Sequence, residues 1–129
     1  MKCDSASLGR WGEEMAKAFL TAQGFAIKDE NWRMAHYELD IVIQEGNEII
    51  FVEVKTRRSD DDDPIDAVDR RKRARMIASA EVYINELLVK QHDMAYEYRF
   101  DIVGITGTPD DYEIEYIPDA FFPALGGNH

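Results

Sequence analysis

From Tyr37 to Arg57 the chain reads YELDIVIQEGNEIIFVEVKTR, two apolar runs separated by Gly-Asn. Both runs are rich in β-branched residues, and Gly46-Asn47 is a good two-residue hairpin turn. That turn sets Glu45 against Glu48, Ile43 against Ile50, Ile41 against Val52 and Leu39 against Val54. Leu39, Ile41, Ile43, Ile50, Val52 and Val54 then fall on one side of the hairpin. This predicts an uninterrupted apolar face that belongs to the core.

The flanking segments follow other periods. Leu8, Met15, Phe19 and Leu20 mark one stripe of a helix that Ser5 or Ser7 caps and Gly24 ends. Gly9 and Gly12 inside it permit close backbone packing. FAIKD (Phe25–Asp29) reads as a short edge strand. Beyond an acidic loop containing Pro64, a long helix is predicted from Asp66 to about Val89, with Ile77, Ala80, Ile84, Leu87 and Leu88 inward. YRFDIVGIT is a strand, YEIEYI a last one, and the PALGGNH end a loose tail. The order α-β-β-β-α-β-β predicts a single α/β domain, a sandwich around a mixed sheet.

The other side of the central hairpin carries charge. In the predicted register Asp40 lies opposite Glu53, and Glu38 opposite Lys55. Like charges facing each other on a sheet are destabilising. Two unit charges about 5 Å apart repel by about 3 kcal/mol at an effective dielectric of roughly 20. Val42, Ile49 and Phe51 share this side and keep it partly dry. A cation, a neighbouring lysine or a raised carboxyl pKa is needed to compensate, and a divalent hard ion does so well. A second reading fits the same pattern: a solvated charged face, with Lys55 paired to Glu38 alone.

Composition narrows the classes. The chain has 129 residues, 45% of them hydrophobic, which suits one domain with one core. No apolar run approaches the roughly 20 residues of a membrane span, and the N-terminus has no apolar stretch of the kind that directs secretion. Cys3 is the only cysteine and fits a reducing, cytoplasmic setting. Cys3, His36, His92 and His129 have no zinc-ligand spacing. The net charge of −11 argues against broad affinity for nucleic acid. The basic residues are nevertheless clustered, in KTRR (Lys55–Arg58) and RRKRAR (Arg70–Arg75), with SDDDD (Ser59–Asp63) between them.

Asp40 followed by a hairpin and Glu53-Val54-Lys55 resembles the motif of the PD-(D/E)XK nuclease superfamily. The likeness extends through LGRWGEEMAKAFLTAQGF, ENWR, ELDIVI, IIFVEVKTRRS, AVDRRKRARMIASAEVYI, YRFDIVGIT and EIEYIPDAF. These segments stand in the order seen in the YraN-type family of predicted endonucleases, similar in its core to archaeal Holliday-junction resolvases. The resemblance implies a restriction-endonuclease-like three-layer sandwich. It also implies metal-dependent hydrolysis of phosphodiester bonds, of structured or branched DNA, in repair or recombination.

Carried over to this chain, the resemblance makes Asp40 and Glu53 ligands of Mg²⁺ or Mn²⁺, with the Val54 backbone carbonyl assisting. Lys55 orients water or stabilises charge. Glu13, in the Glu-x-x-Ala pattern with Ala16, joins the catalytic set, with Glu14 as its competitor and a Glu13–Lys17 helix pair as the alternative. Arg57, Arg58, Arg71, Lys72 and Arg75 are expected to meet DNA phosphates. Arg99 and Asp101 are expected to form a buried or semi-buried structural pair on a central strand, and Trp11 and Trp32 to pack, with base stacking open to Trp32. A symmetric junction substrate suits a homodimer. Two departures stand at the first acid: Tyr37 occupies a common glycine position, and Leu39 replaces proline. A non-catalytic nucleic-acid-binding accessory module and a protein-interaction domain are the competing functions.

Overall fold

Gly46 takes the positive φ of 61° that the first position of a tight hairpin turn demands. On either side of it, in a computed structural model that describes residues 5–58, 70–90 and 95–121, β2 (Tyr37–Glu45) pairs antiparallel with β3 (Glu48–Arg57). The register is the predicted one from Glu45↔Glu48 to Ile41↔Val52. Asn47 then anchors the next strand. Its side-chain amide donates to the Ala95 carbonyl at 3.1 Å, and its own carbonyl accepts the Glu97 N–H at 3.0 Å.

The other elements are α1 (Ser5–Ala22), β1 (Ile27–Met34), α2 (Arg70–Lys90), β4 (Glu97–Thr108) and β5 (Asp111–Phe121). The sheet runs β1-β2-β3-β4-β5. Only β3 and β4 are parallel, and α2 lies between them in the chain, as a parallel connection requires. The predicted order α-β-β-β-α-β-β is therefore the observed one, and the arrangement is a restriction-endonuclease-like α/β sandwich. Among the described residues no helix is long and apolar enough to cross a membrane.

Both faces of the sheet are covered, which explains why β2 and β3 are almost continuously apolar. On one face Ala16 and Leu20 of α1 pack on Ile41, Ile43, Ile50, Val52, Val103 and Ile105. On the other, Met76, Ala80, Tyr83 and Ile84 of α2 cover Val42, Ile49, Phe51, Phe100 and Ile102. Leu39 departs from the predicted face and joins the α2 side. Its β1 partner Trp32 packs against the same cluster, and Asn31, just before Trp32, has φ of 50°. The change of side falls where β2 is no longer paired to β3 and is held by β1 alone.

The close approach expected of the α1 glycines holds at Gly12 and not at Gly9. A Cβ at Gly12 would fall 1.9 Å from Thr56 Oγ1, whereas Gly9 has open space around it. The helix ends as predicted. Gly24, at φ 97°, donates to the Thr21 carbonyl at 3.0 Å, and Phe25 donates to the Leu20 carbonyl at 3.1 Å. This is the double-bonded glycine cap. It turns Phe25 under α1, so the edge strand starts later than predicted and runs on through Met34.

The predicted Asp66 start of α2, the acidic loop, Cys3 and the C-terminal tail lie outside the described residues. Within α2 the buried face is Met76, Ser79, Ala80, Tyr83 and Ile84, with Ile77, Leu87 and Leu88 only partly buried. Tyr83 shifts the face inward because its hydroxyl finds an acceptor in Asp29 while its ring meets Trp32 and Phe51 edge-on.

Arg99 and Asp101 form the expected pair, with Asp101 buried and Arg99 half-buried. Asp101 is fully buried and accepts Arg99 Nε at 3.0 Å, Arg99 Nη2 at 3.2 Å, the Tyr116 hydroxyl and the Asp119 N–H at 2.8 Å. The last of these holds an irregularity in β5, where pairing shifts between Phe100↔Phe121 and Ile102↔Ile117. Trp11 packs edge-on against Tyr112 and Trp32 against Tyr83, so both tryptophans do the packing expected of them.

Candidate active site

Beyond Ile41↔Val52 the regular ladder between β2 and β3 stops. Asp40 and Glu53 are thus not a regular cross-strand pair, and the predicted pairs Leu39–Val54 and Glu38–Lys55 beyond them are not formed either, which corrects the predicted register at this end of the hairpin. Asp40 Oδ2 instead accepts the Val54 N–H at 3.0 Å. The side chain replaces the ladder bond as the strands part, and both carboxyls line a cleft there. Glu38 does not reach Lys55. It lies 3.5 Å from Arg33 on β1, and its N–H donates to Ser79 Oγ of α2 at 3.2 Å.

The cleft, of about 320 Å³, is lined by Glu13 from α1, Asp40 from β2, Glu53, Val54 and Lys55 from β3, and Lys72 from α2. Four elements therefore deliver the predicted catalytic set to one place. Glu13 is the α1 acid that faces it. Glu14 is 73% exposed and holds Lys17 at 2.8 Å, while Lys17 also reaches Glu30 at 2.7 Å. Burial, then the charge of Asp40, raises the Glu13 pKa, against the opposing pull of Lys17 and Asn31.

Glu53 is only 5% exposed. Burial first, and the adjacent Asp40 second, push its pKa up to about 7. Lys72 answers this with Nζ 2.9 Å from Glu53 Oε2. Burial works against the lysine's charge, but Glu53 and then Asp40 outweigh it and hold its pKa above the ordinary value. Lys72 had been expected on the exposed phosphate-binding side of α2. It sits inside the site, because the crossover from β3 to β4 brings the start of α2 over Glu53.

A pH dependence follows. The Glu53 pKa is raised on folding, so its contribution to stability is full below about pH 4.5 and is lost as pH rises through about 7. A shift of this size corresponds to a loss on the order of 3 kcal/mol across the window. Denaturant melts of ion-free protein between about pH 5 and pH 8 should show the decline, and Glu53→Gln should flatten it. A flat wild-type profile would show that Glu53 is not held in this environment.

The remaining cations divide. Arg58, Arg71 and Arg75 are exposed. Arg57 is half-buried: its Nε donates to Thr106 Oγ1 at 3.2 Å, and its buried Nη1 has no hydrogen-bond partner. Arg75 lines a second pocket with His36, Tyr37, Met76 and Ser79 that shares Asp40, Glu53 and Lys72 with the cleft. Of these, His36, Met76 and Ser79 escaped sequence reasoning. The signal was the helical spacing of Lys72, Arg75, Met76 and Ser79, a stripe hidden in a run dominated by arginine.

Among the described residues no group of three or more Asp, Glu, His or Cys side chains is clustered tightly enough to hold an ion by itself. The donors lining the cleft are hard oxygens: two neighbouring carboxylates, a third at its α1 wall, and the backbone of Val54.

The model of the uncharacterised protein family UPF0102 matches residues 12–105. A UPF0102 protein of Bacteroides thetaiotaomicron is 39% identical over 119 residues, covering 92% of this chain and 94% of its own. One from Parabacteroides distasonis is 40% identical over 116 residues, covering 89% and 92%. One from Dictyoglomus turgidum is 35% identical over 122 residues, covering 92% and 99%.

Proposed function

The chain belongs to UPF0102, the YraN family of predicted endonucleases, and we propose that it is a Mg²⁺- or Mn²⁺-dependent endonuclease acting on structured or branched DNA in repair or recombination. The observation that carries this reading is the cleft itself. Two carboxyls from parting strands, one of them buried with a raised pKa, face a lysine two residues along the same strand. Lys72 offsets part of the repulsion between Asp40 and Glu53, and a divalent ion would offset the rest.

The donors fit a hard divalent ion, which typically takes one or two carboxylates and completes its shell with water and phosphate oxygen. Asp40, Glu53 and the Val54 carbonyl would hold it, with Glu13 at the rim. A bound ion supplies polarisation of the phosphoryl oxygen and a lowered pKa for water. Asp40, tied to the Val54 N–H, fixes the strand that carries Glu53 and Lys55. Lys55 orients the attacking water and stabilises the charge that develops on phosphorus-bound oxygen. Lys72 neutralises Glu53 from α2, and Arg58, Arg71 and Arg75 meet flanking phosphates. A two-fold symmetric substrate would bring two copies of the chain together.

The Lys72–Glu53 ion pair favours a second reading. An ammonium there serves as the compensating cation, and the protein becomes a non-catalytic DNA-binding accessory module. Incubating wild type and Lys55→Met with linear, single-stranded, flap and four-way DNA in Mg²⁺ or Mn²⁺ separates the two. The nuclease reading expects cleavage by wild type and a loss of roughly a hundredfold or more in Lys55→Met. An ion-dependent rise in thermal midpoint should appear in both. Binding of branched DNA with neither cleavage nor an ion-dependent rise would establish the accessory module.

A further inference from the structure

We propose that the pocket between β2 and α2 receives a single unpaired nucleobase of the DNA whose backbone lies across Asp40 and Glu53. The inference rests on the nuclease reading and names the class of substrate: DNA with an unpaired nucleotide at the cut, such as a flap or a single-strand junction. The pocket has a volume of about 160 Å³ and shares Asp40, Glu53 and Lys72 with the acid cleft. A nucleotide whose phosphate sits at the acids therefore has its sugar and base beside this pocket.

Size and lining select the occupant. The volume is below the ordinary range for drug-sized ligands, about 300–1,000 Å³, and suits one ring system and not a base pair. Tyr37 and His36 lie ring against ring, with centroids 4.2 Å apart and planes inclined by 33°, and together give the pocket an aromatic shelf one ring wide. Met76 and Ala78 of α2 supply apolar lining, and Arg75 supplies a cation. The Glu38 N–H bond to Ser79 Oγ ties β2 to α2 across the pocket wall, so the shelf is held in place. Aromatic stacking accepts any base, while a base in intact duplex must first be unpaired and unstacked to enter. Tyr37 and Asp40 both belong to β2 and both line this pocket, so shelf and acid are placed together.

The test uses the full chain in Ca²⁺ and fluorescence-anisotropy titrations of three DNAs. They are a duplex with a short overhang, the same with an abasic first unpaired nucleotide, and a blunt duplex. A fluorescent adenine analogue at the first unpaired position reports stacking directly. Wild type is expected to bind the overhang roughly tenfold more tightly than the abasic form, with the analogue quenched. Tyr37→Ala erases the difference and Tyr37→Trp keeps it, while both retain the Mn²⁺-dependent rise in thermal midpoint. Equal affinity of wild type for base and abasic site, or discrimination that survives in Tyr37→Ala, overturns the proposal. Discrimination without any ion-dependent rise in wild type supports the pocket and counts against the nuclease reading.

Discussion

Asp40→Asn is expected to leave the fold intact and remove both ion binding and cleavage. The amide oxygen of asparagine still accepts the Val54 N–H, so the parting of β2 and β3 is preserved. The negative charge is lost, and with it one of the two main influences that raise the Glu53 pKa. Ion-free Asp40→Asn should therefore be at least as stable as wild type at neutral pH. Addition of Mg²⁺ or Mn²⁺ should no longer raise its thermal midpoint. In wild type, by contrast, an ion at a hundred times its Kd stabilises by about 2.7 kcal/mol. Outer partners of metal ligands alone cost roughly 10–100-fold in metal affinity or activity when removed, so loss of a ligand should exceed that. Calorimetric titration of wild type and Asp40→Asn with Mn²⁺ is the direct measurement. An unchanged ion affinity in the variant would remove Asp40 from the site.

Asp101→Ala is expected to be the most destabilising single substitution considered, for reasons unconnected with the cleft. The carboxylate is fully buried and accepts four donors from Arg99, Tyr116 and Asp119. Removing one partner of a fully buried charged pair typically costs about 3–5 kcal/mol, and the loss here is expected at the lower end, because Arg99 is partly exposed and keeps Glu48 at 3.7 Å. The Asp119 N–H loses its acceptor at the same time, and the irregular segment of β5 loses its anchor. Tyr116→Phe removes one donor and leaves the others, and a loss of about 1 kcal/mol is expected. Chemical denaturation of the two variants tests the ranking. Mn²⁺ binding by Asp101→Ala at low temperature should survive, since the network packs on the α1 face near Phe19 and Phe25 and away from Glu53.

The central hairpin was readable because two independent signals agreed, a turn dipeptide and an alternation of apolar residues. Gly24 was readable for a similar reason: a helix stripe ended where a left-handed residue was available. The choice of Glu13 over Glu14 came from resemblance, and the structure gives it a physical basis in the opposite exposure of adjacent helix positions. Leu39 was misplaced because strict alternation was carried past Ile41, where the β2–β3 ladder ends and the partner of Leu39 is Trp32 of β1. Lys72 was misplaced because a lysine in a basic run looks solvated. Its partner is fixed by where the crossover sets α2 down on the sheet, which is a property of the tertiary fold. Tyr83 is absent from the predicted core face because its burial depends on Asp29, an acceptor that a distant strand supplies.

The dipeptide Gly46-Asn47 also works as the zero mark of a ruler. Asp40 and Glu53 are placed by counting outward along two strands from that point, and Asn47 sets the start of β4 from the same origin. A one-residue slip of β3 in its pairings would leave the hydrophobicity of both strands unchanged and still miscount every position along it. Glu53 would then lie on the α1 side of the sheet, facing away from Lys72, and the gap at Asp40 would hold a single acid. The hairpin must therefore keep its length for chemistry as well as for packing. The Pro109-Asp110 turn joins β4 to β5 and indexes none of the cleft residues, so it is the place where this fold can take up insertions without losing its site.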